Sequence, residues 1–253
     1  MEKYQHVRDF TVKYCEADFK DEIKVSSLLA YLEEVACSSA DELGFGYAFV
    51  KPRGYAFMVA NLCCEFMKPV TLGERITLKT WPTPPTRVIF GREYQVLSQE
   101  KEVKINATSR WCLIDMNTGK LLPSKAIDNQ DYSTYNTEKL MEDIVWKIPT
   151  FSIEREEVKF SLKIANSEYD HNMHVNNTRY ADYCLNCFSL QELFVWRLKK
   201  FMISYVKQCK EGETLRFYRK KAEDGGWLTQ GVNEQDEIVT QAYILFEEPG
   251  IIQ

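Results

Sequence analysis

The chain has 253 residues, 45% of them hydrophobic and 27% charged, with a net charge of -5. That length suits two modest domains, and the balance is enough to fill a core, which excludes general disorder. The acidic net charge argues against a generic nucleic-acid binder.

No stretch approaches the ~18 uninterrupted apolar residues of a membrane span. The opening MEKYQHVRDF lacks both the apolar run of a secretory signal and the Arg- and Ser-rich look of a transit peptide, so a cytoplasmic protein is expected. The eight cysteines form no pair of CxxC motifs, and Cys184-Leu-Asn-Cys187 has no histidine at zinc-finger spacing. Reduced thiols, no metal site and no cofactor are expected.

In chain order, Leu28, Leu29, Leu32, Val35, Ala36, Ala40 and Leu43 recur at helical spacing until Gly44 and Gly46, which predicts one long, mostly buried helix. Stretches near 55–68, 74–81, 87–99 and 102–115 are rich in Val, Ile, Phe, Tyr and Thr and are punctuated by Pro82-Thr-Pro84-Pro85 and Asn117-Thr-Gly119, which predicts antiparallel strands. Residues 123–147 begin with Pro123 and a polar run, and look like a connection with a short helix at its end. The pattern then restarts with a strand near 156–165, a helix over 176–197, and strands near 201–210, 213–220, 226–233 and 236–247.

The restart is a repeat. Val25-Ser26-Ser27 and Val175-Asn176-Asn177 each precede a helical stretch, at an offset of 150. Downstream, Gly73-Glu74 and Gly212-Glu213 are matching turns between alternating strands at an offset of 139. The expected organisation is a first copy over 1–130, a linker over 131–147 and a second copy over 148–253.

Two of only three histidines lie in EYDHNMHVNN, residues 168–177. If this segment is extended, Asp170, Asn172 and His174 point to one side. A helix N-terminus follows, where unpaired N–H groups near Val175, Asn176 and Asn177 favour a developing anion. Thioester hydrolysis needs these parts: a group to activate water, a neutral donor, and N–H groups aimed at an oxyanion. The plainer alternative is an Asx turn and helix cap with histidines at the surface. At the 150 offset, Lys20, Glu22 and Lys24 stand opposite the motif, so one site per chain is expected.

Asp170-His-Asn172-Met-His174-Val175-Asn176-Asn177, followed by Thr-Arg-Tyr180, resembles the D-x-N-x-H-V-N-N signature of acyl-acyl-carrier-protein (acyl-ACP) thioesterases, bacterial relatives of the plant enzymes that end fatty-acid synthesis. The resemblance runs over nearly the whole chain. It implies an α+β double hotdog, two fused copies of a long helix wrapped by an antiparallel sheet. It also implies hydrolysis of fatty acyl-ACP to free fatty acid, with Asp170, Asn172 and His174 in the catalytic site.

The family's Tyr-x-x-Glu-Cys stretch is here Tyr205-Val-Lys-Gln208-Cys209. Gln208 can orient a water but cannot take its proton, which would shift the base role to Asp170 or His174. Cys209 is either a nucleophile or a small buried strand residue. The first copy would bind the acyl chain, with Phe57, Met58, Leu62, Phe66 and Trp81 as wall residues or plain core.

Residues 197–221 carry nine basic residues against two acidic ones. Lys199, Lys200 and Lys220 are therefore candidates to dock an acidic acyl carrier protein, or else form a solvated strand face. A homodimer is left open. The rival activities are an acyl-CoA thioesterase, a hotdog enoyl-thioester hydratase and a non-catalytic acyl-thioester binding protein. The hydratase pattern D-x-N-P-x-H differs in its proline and in its five-residue Asp-to-His spacing.

Overall fold

The computed structural model describes residues 3–127 and 131–247. The chain forms two compact units, Met1–Ile144 and Val145–Gln253. Residues 128–130, where the first copy was expected to end, lie outside the described residues. The stretch after them belongs to the first unit: Trp81 Nε1 donates to Glu138 O at 3.0 Å, and Leu140 N donates to Glu93 Oε2 at 3.3 Å. Among the described residues of the expected connection over 123–147, the regular pieces are the 3-10 turns Ser124–Ala126 and Tyr132–Thr134, and the expected short helix at its end is absent.

The first unit contains β1 (His6–Thr11), α1 (Val25–Glu42), α2 (Tyr47–Val50), β2 (Tyr55–Phe66), β3 (Arg75–Pro82), β4 (Phe90–Ser98), β5 (Val103–Asp115) and β6 (Leu121–Leu122). Its strands pair antiparallel in the order β1-β3-β4-β5-β2, with β6 on β5. α1 packs on β1 and β3 and buries Leu28, Leu29, Leu32 and Val35. Each such side chain is worth roughly 1.5–3 kcal/mol of burial. Gly44 lies just past the helix with φ 77, a left-handed conformation that costs a side chain dearly and glycine little. The sequence carries no clear signal for β1, because in the edge strand HVRDFT one face is exposed and the other is only partly buried at His6 and Phe10, with the charged Arg8 between them.

The second unit contains β7 (Phe160–Lys163), α3 (Asn177–Leu185), α4 (Leu190–Val195), β8 (Arg197–Tyr205), β9 (Thr214–Lys221), β10 (Trp227–Val232) and β11 (Ile238–Glu247). The order is β7-β9-β10-β11-β8, antiparallel throughout. Apart from the short β6, this is the strand order of the first unit again, and each unit is a hotdog.

The helix expected over 176–197 is two helices. Ser189 opens the second with a capping box: Glu192 N donates to Ser189 Oγ at 3.2 Å, and Ser189 N donates to Glu192 Oε2 at 2.7 Å. The strand expected to reach 210 ends at Tyr205, which puts Gln208 and Cys209 in the following loop.

The hydrogen bonds confirm the duplication and correct its register. Lys24 N donates to Glu16 O at 2.9 Å, and Asn176 N to Glu168 O at 2.8 Å, an offset of 152. Gly73 N donates to Val12 O and Gly212 N to Ile164 O, both at 2.9 Å. Val25 therefore matches Asn177, the first residue of α3, and not Val175.

Candidate active site

Asp170, Asn172 and His174 lie in a tight turn, not in an extended segment. Tyr169 and Val175 bridge as antiparallel partners, and Asp170 N donates to His174 O at 2.8 Å. Met173 takes φ 60 to close the turn, and Met173 N donates to Asp170 O at 3.1 Å. The Asp170 carboxylate fills the turn: its Oδ1 accepts from Asn172 N at 2.8 Å and His174 N at 3.3 Å. This is Asx-turn chemistry, a carboxylate standing in for a backbone acceptor. The extended geometry expected from two-residue alternation is therefore replaced by a turn that gathers the same three residues.

The first unit builds the same turn. Asp18 Oδ1 accepts from Lys20 N at 2.8 Å and Glu22 N at 3.1 Å, Asp18 N donates to Glu22 O at 2.7 Å, and Asp21 takes φ 58. The residues opposite Asp170, Asn172 and His174 are therefore Asp18, Lys20 and Glu22, not the Lys20, Glu22 and Lys24 of the 150 offset. Tyr31 and Tyr183, also 152 apart, donate to the carboxylates of Glu16 and Glu168, the latter at 2.6 Å. Burial holds the Tyr183 phenol protonated and so able to donate. Asp170, its turn and this tyrosine brace are shared by both copies; the amide and the imidazole are not.

Lys20 Nζ lies 3.6 Å from Glu22 Oε2, so the first copy fills the corresponding positions with an ion pair. In the second copy neither the Asn172 amide nor the His174 imidazole has a hydrogen-bond partner among the described residues. Both are available to a ligand. His171 and Met173 are exposed on the same turn.

Of the three expected oxyanion donors, Asn176 is already engaged. Its N–H goes to Glu168 O, and its side chain caps α3 by accepting from Thr178 N at 2.9 Å and Thr178 Oγ1 at 2.7 Å. Val175 differs from its counterpart. Ile23 N donates to Val70 O at 2.8 Å, whereas Val175 N has no acceptor among the described residues. Asn177 is the first residue of α3, where an N–H has no partner within the helix.

Cys209 is fully buried, and burial raises its thiol above the ordinary range. The Tyr180 hydroxyl is its electrostatic neighbour, and burial raises that phenol too. A buried neutral thiol is a poor nucleophile, which favours the reading of Cys209 as a packed residue. Gln208 is exposed.

The wall residues do not form one set. Phe57 meets Phe45 and Phe90 at ring distances of 6.0 and 5.1 Å, while Leu62 and Phe66 are buried farther along β2 and Met58 is half-buried there. Trp81 stands three strands from β2, roughly 14 Å at the usual strand spacing, and is fully buried.

The basic run is less positive in space than along the chain. Lys199 lies 3.6 Å from Glu247, Lys220 3.5 Å from Glu156 and Arg216 2.6 Å from Asp236, and Lys207 pairs with Glu237. All four carboxylates come from outside the run, where a count along the sequence cannot see them. Among the described residues no group of His, Cys, Asp and Glu could hold a metal ion.

Two family models match, the acyl-ACP thioesterase N-terminal domain over residues 3–126 and its C-terminal domain over 151–248. The chain belongs to the acyl-ACP thioesterase family. Oleoyl-acyl carrier protein thioesterase 1 of Arabidopsis thaliana is 22% identical over 220 residues, covering 81% of this chain and 61% of that protein. The chain thus spans about three fifths of that relative's length. An acyl-ACP thioesterase of Bacteroides thetaiotaomicron has a similar structure, with a TM-score of 0.85 at 21% identity, covering 96% of this chain and 98% of that one. The 12:0-ACP thioesterase of Umbellularia californica gives 0.86 at 15%, covering 97% and 98%. At these identities the structural likeness establishes the double hotdog fold. Among the described residues no helix is long and apolar enough to cross a membrane.

Proposed function

We propose that the chain hydrolyses fatty acyl-ACP thioesters in the cytoplasm, releasing free fatty acid for lipid synthesis. The observation that carries this reading is the contrast between the copies: one turn, built twice, carries an unengaged amide and imidazole in the second copy and an ion pair in the first. Membership of the family supplies the substrate class.

In this mechanism Asp170, held in its turn, and His174 position a water and take its proton. The water oxygen attacks the thioester carbonyl carbon. Asn172 orients that carbonyl, and the N–H groups of Val175 and Asn177 face the oxygen as it becomes an oxyanion. Collapse breaks the carbon–sulfur bond, and the proton passes to the departing phosphopantetheine thiolate. The first unit holds the acyl chain, with Phe57, Met58, Leu62 and Phe66 on β2 as the lining. Lys199, Lys200 and Lys220 steer the acidic carrier. Their partial pairing makes this a modest, salt-sensitive contribution.

The experiment is thiol release from acyl-ACP of several chain lengths and from the matching acyl-CoAs, for the wild type and for Asn172→Ala and His174→Ala. Removing such groups costs about 10²–10⁴ in rate. Near-full hydrolysis by both folded variants removes the assignment. Preference for acyl-CoA would redirect the substrate but keep the site.

A further inference from the structure

Subtracting one copy from the other identifies what the second copy adds beneath its catalytic turn. Three positions that are apolar in the first copy are polar in the second. By the offsets fixed above, Leu28 matches Tyr180, Phe66 matches Tyr205 and Val70 matches Cys209. Leu28, Phe66 and Val70 are buried.

Their counterparts are joined to each other. Tyr205, at the end of β8, donates its hydroxyl to Asn177 O at 3.1 Å, the first carbonyl of α3. Tyr180, one turn along α3, meets Tyr205 edge-on at 5.9 Å, and its hydroxyl and the buried Cys209 thiol are near enough to shift each other's protonation. This contact accompanies a change in the backbone beside the turn. In the first copy Val70 O receives the Ile23 N–H at 2.8 Å, and in the second the equivalent N–H, that of Val175, has no acceptor among the described residues.

We infer that Tyr180, Tyr205 and Cys209 form a positioning layer: they fix the first turn of α3 and the 206–210 loop so that the Val175 N–H stays unspent and aimed at the substrate. None of the three touches the reacting atoms. The inference rests on the hydrolase reading above and deepens it. It also accounts for a buried tyrosine–cysteine pair that the chemistry itself does not use. A donor kept free and fixed before the reaction stabilises an oxyanion without having to reorganise when the charge develops. Its benefit therefore appears in the transition state and not in substrate binding.

The test uses Tyr205→Phe and Cys209→Val, whose new side chains already occupy the matching first-copy positions, with Cys209→Ser as the conservative variant. Tyr205→Phe and Cys209→Val should each lower kcat about tenfold with KM within about twofold. Cys209→Ser, which keeps a hydrogen-bonding group toward Tyr180, should recover most of kcat. Melting curves identify a temperature at which every variant is folded, and the kcat deficit must persist there.

Wild-type kcat in both variants overturns the inference, as does a deficit that vanishes once folding is complete. Loss of more than about a hundredfold in Cys209→Ser would make Cys209 a nucleophile and also overturn it. Assaying His174→Ala alongside separates the two claims. Full activity there removes the hydrolase site itself; a large loss there, with Tyr205→Phe and Cys209→Val both normal, removes the positioning layer alone.

Discussion

Asp170 shows how a residue can be legible while its geometry is not. The motif marks it as an acid beside a donor and an imidazole, yet its Oδ1 builds a turn that Asp18 builds again in the copy without the motif. Side-chain-to-backbone bonds of this kind compete with extended structure, so period-two alternation could not have located it. Asp18→Asn keeps an acceptor for that turn; it should leave thiol release unchanged and shift the melting temperature by only a few degrees.

Cys209 makes a second prediction at this scale. Burial raises its thiol, so at neutral pH it is protonated and inert to iodoacetamide, whereas Cys15 is exposed. Mass-mapped labelling should modify Cys15, leave Cys209 intact and leave hydrolysis unchanged. Inactivation in step with label at Cys209 would contradict the neutral thiol.

Among the elements, the break between α3 and α4 is where local chemistry overrides an apolar pattern. A capping box needs only Ser189 and Glu192 at the right spacing, but here the same glutamate also serves the tertiary structure. Arg219 grips it with two bonds, Nη1 to Oε2 at 3.0 Å and Nη2 to Oε1 at 2.8 Å, and lies 4.8 Å from both the Phe188 and Trp227 rings. That grip pulls Glu192 down to about 2 from 4.5, despite the opposing effect of burial.

A depressed carboxylate stabilises the fold above its unfolded value and loses that contribution as pH falls through its folded value. The window is therefore from about 4.5 down to about 2. Glu192→Gln should flatten the urea-stability profile across this range; an unchanged slope would mean the pair is not formed in solution. Ser189→Ala should cost ~1 kcal/mol through the lost cap.

The whole molecule was the most legible level. Long alternating stretches fixed β2 to β5 and β8 to β11 to within a few residues, since a sheet with one buried face writes its period into the chain. What stayed hidden was whatever lacks a period or acts at a distance. β1 is an edge strand with only His6 and Phe10 partly buried, the repeat register differs by two residues on the helix side, and the ion pairs that quiet the basic run come from remote segments. Tyr180 and Tyr205 were missed as well, although aligning the copies at the offset of 152 would have set them against Leu28 and, at 139, Phe66. Duplication is what makes the chain interpretable, because the first copy is an internal control for the second.

That control supplies the most direct measurement. His174 and Glu22 occupy the same place in the same turn, one in each copy. Thiol release from acyl-ACP by His174→Ala and Glu22→Ala, both checked for folding, should show a loss of about 10²–10⁴ in kcat/KM for the first and no more than about twofold for the second. Equal losses, or an active His174→Ala, would contradict a single catalytic turn in the second copy.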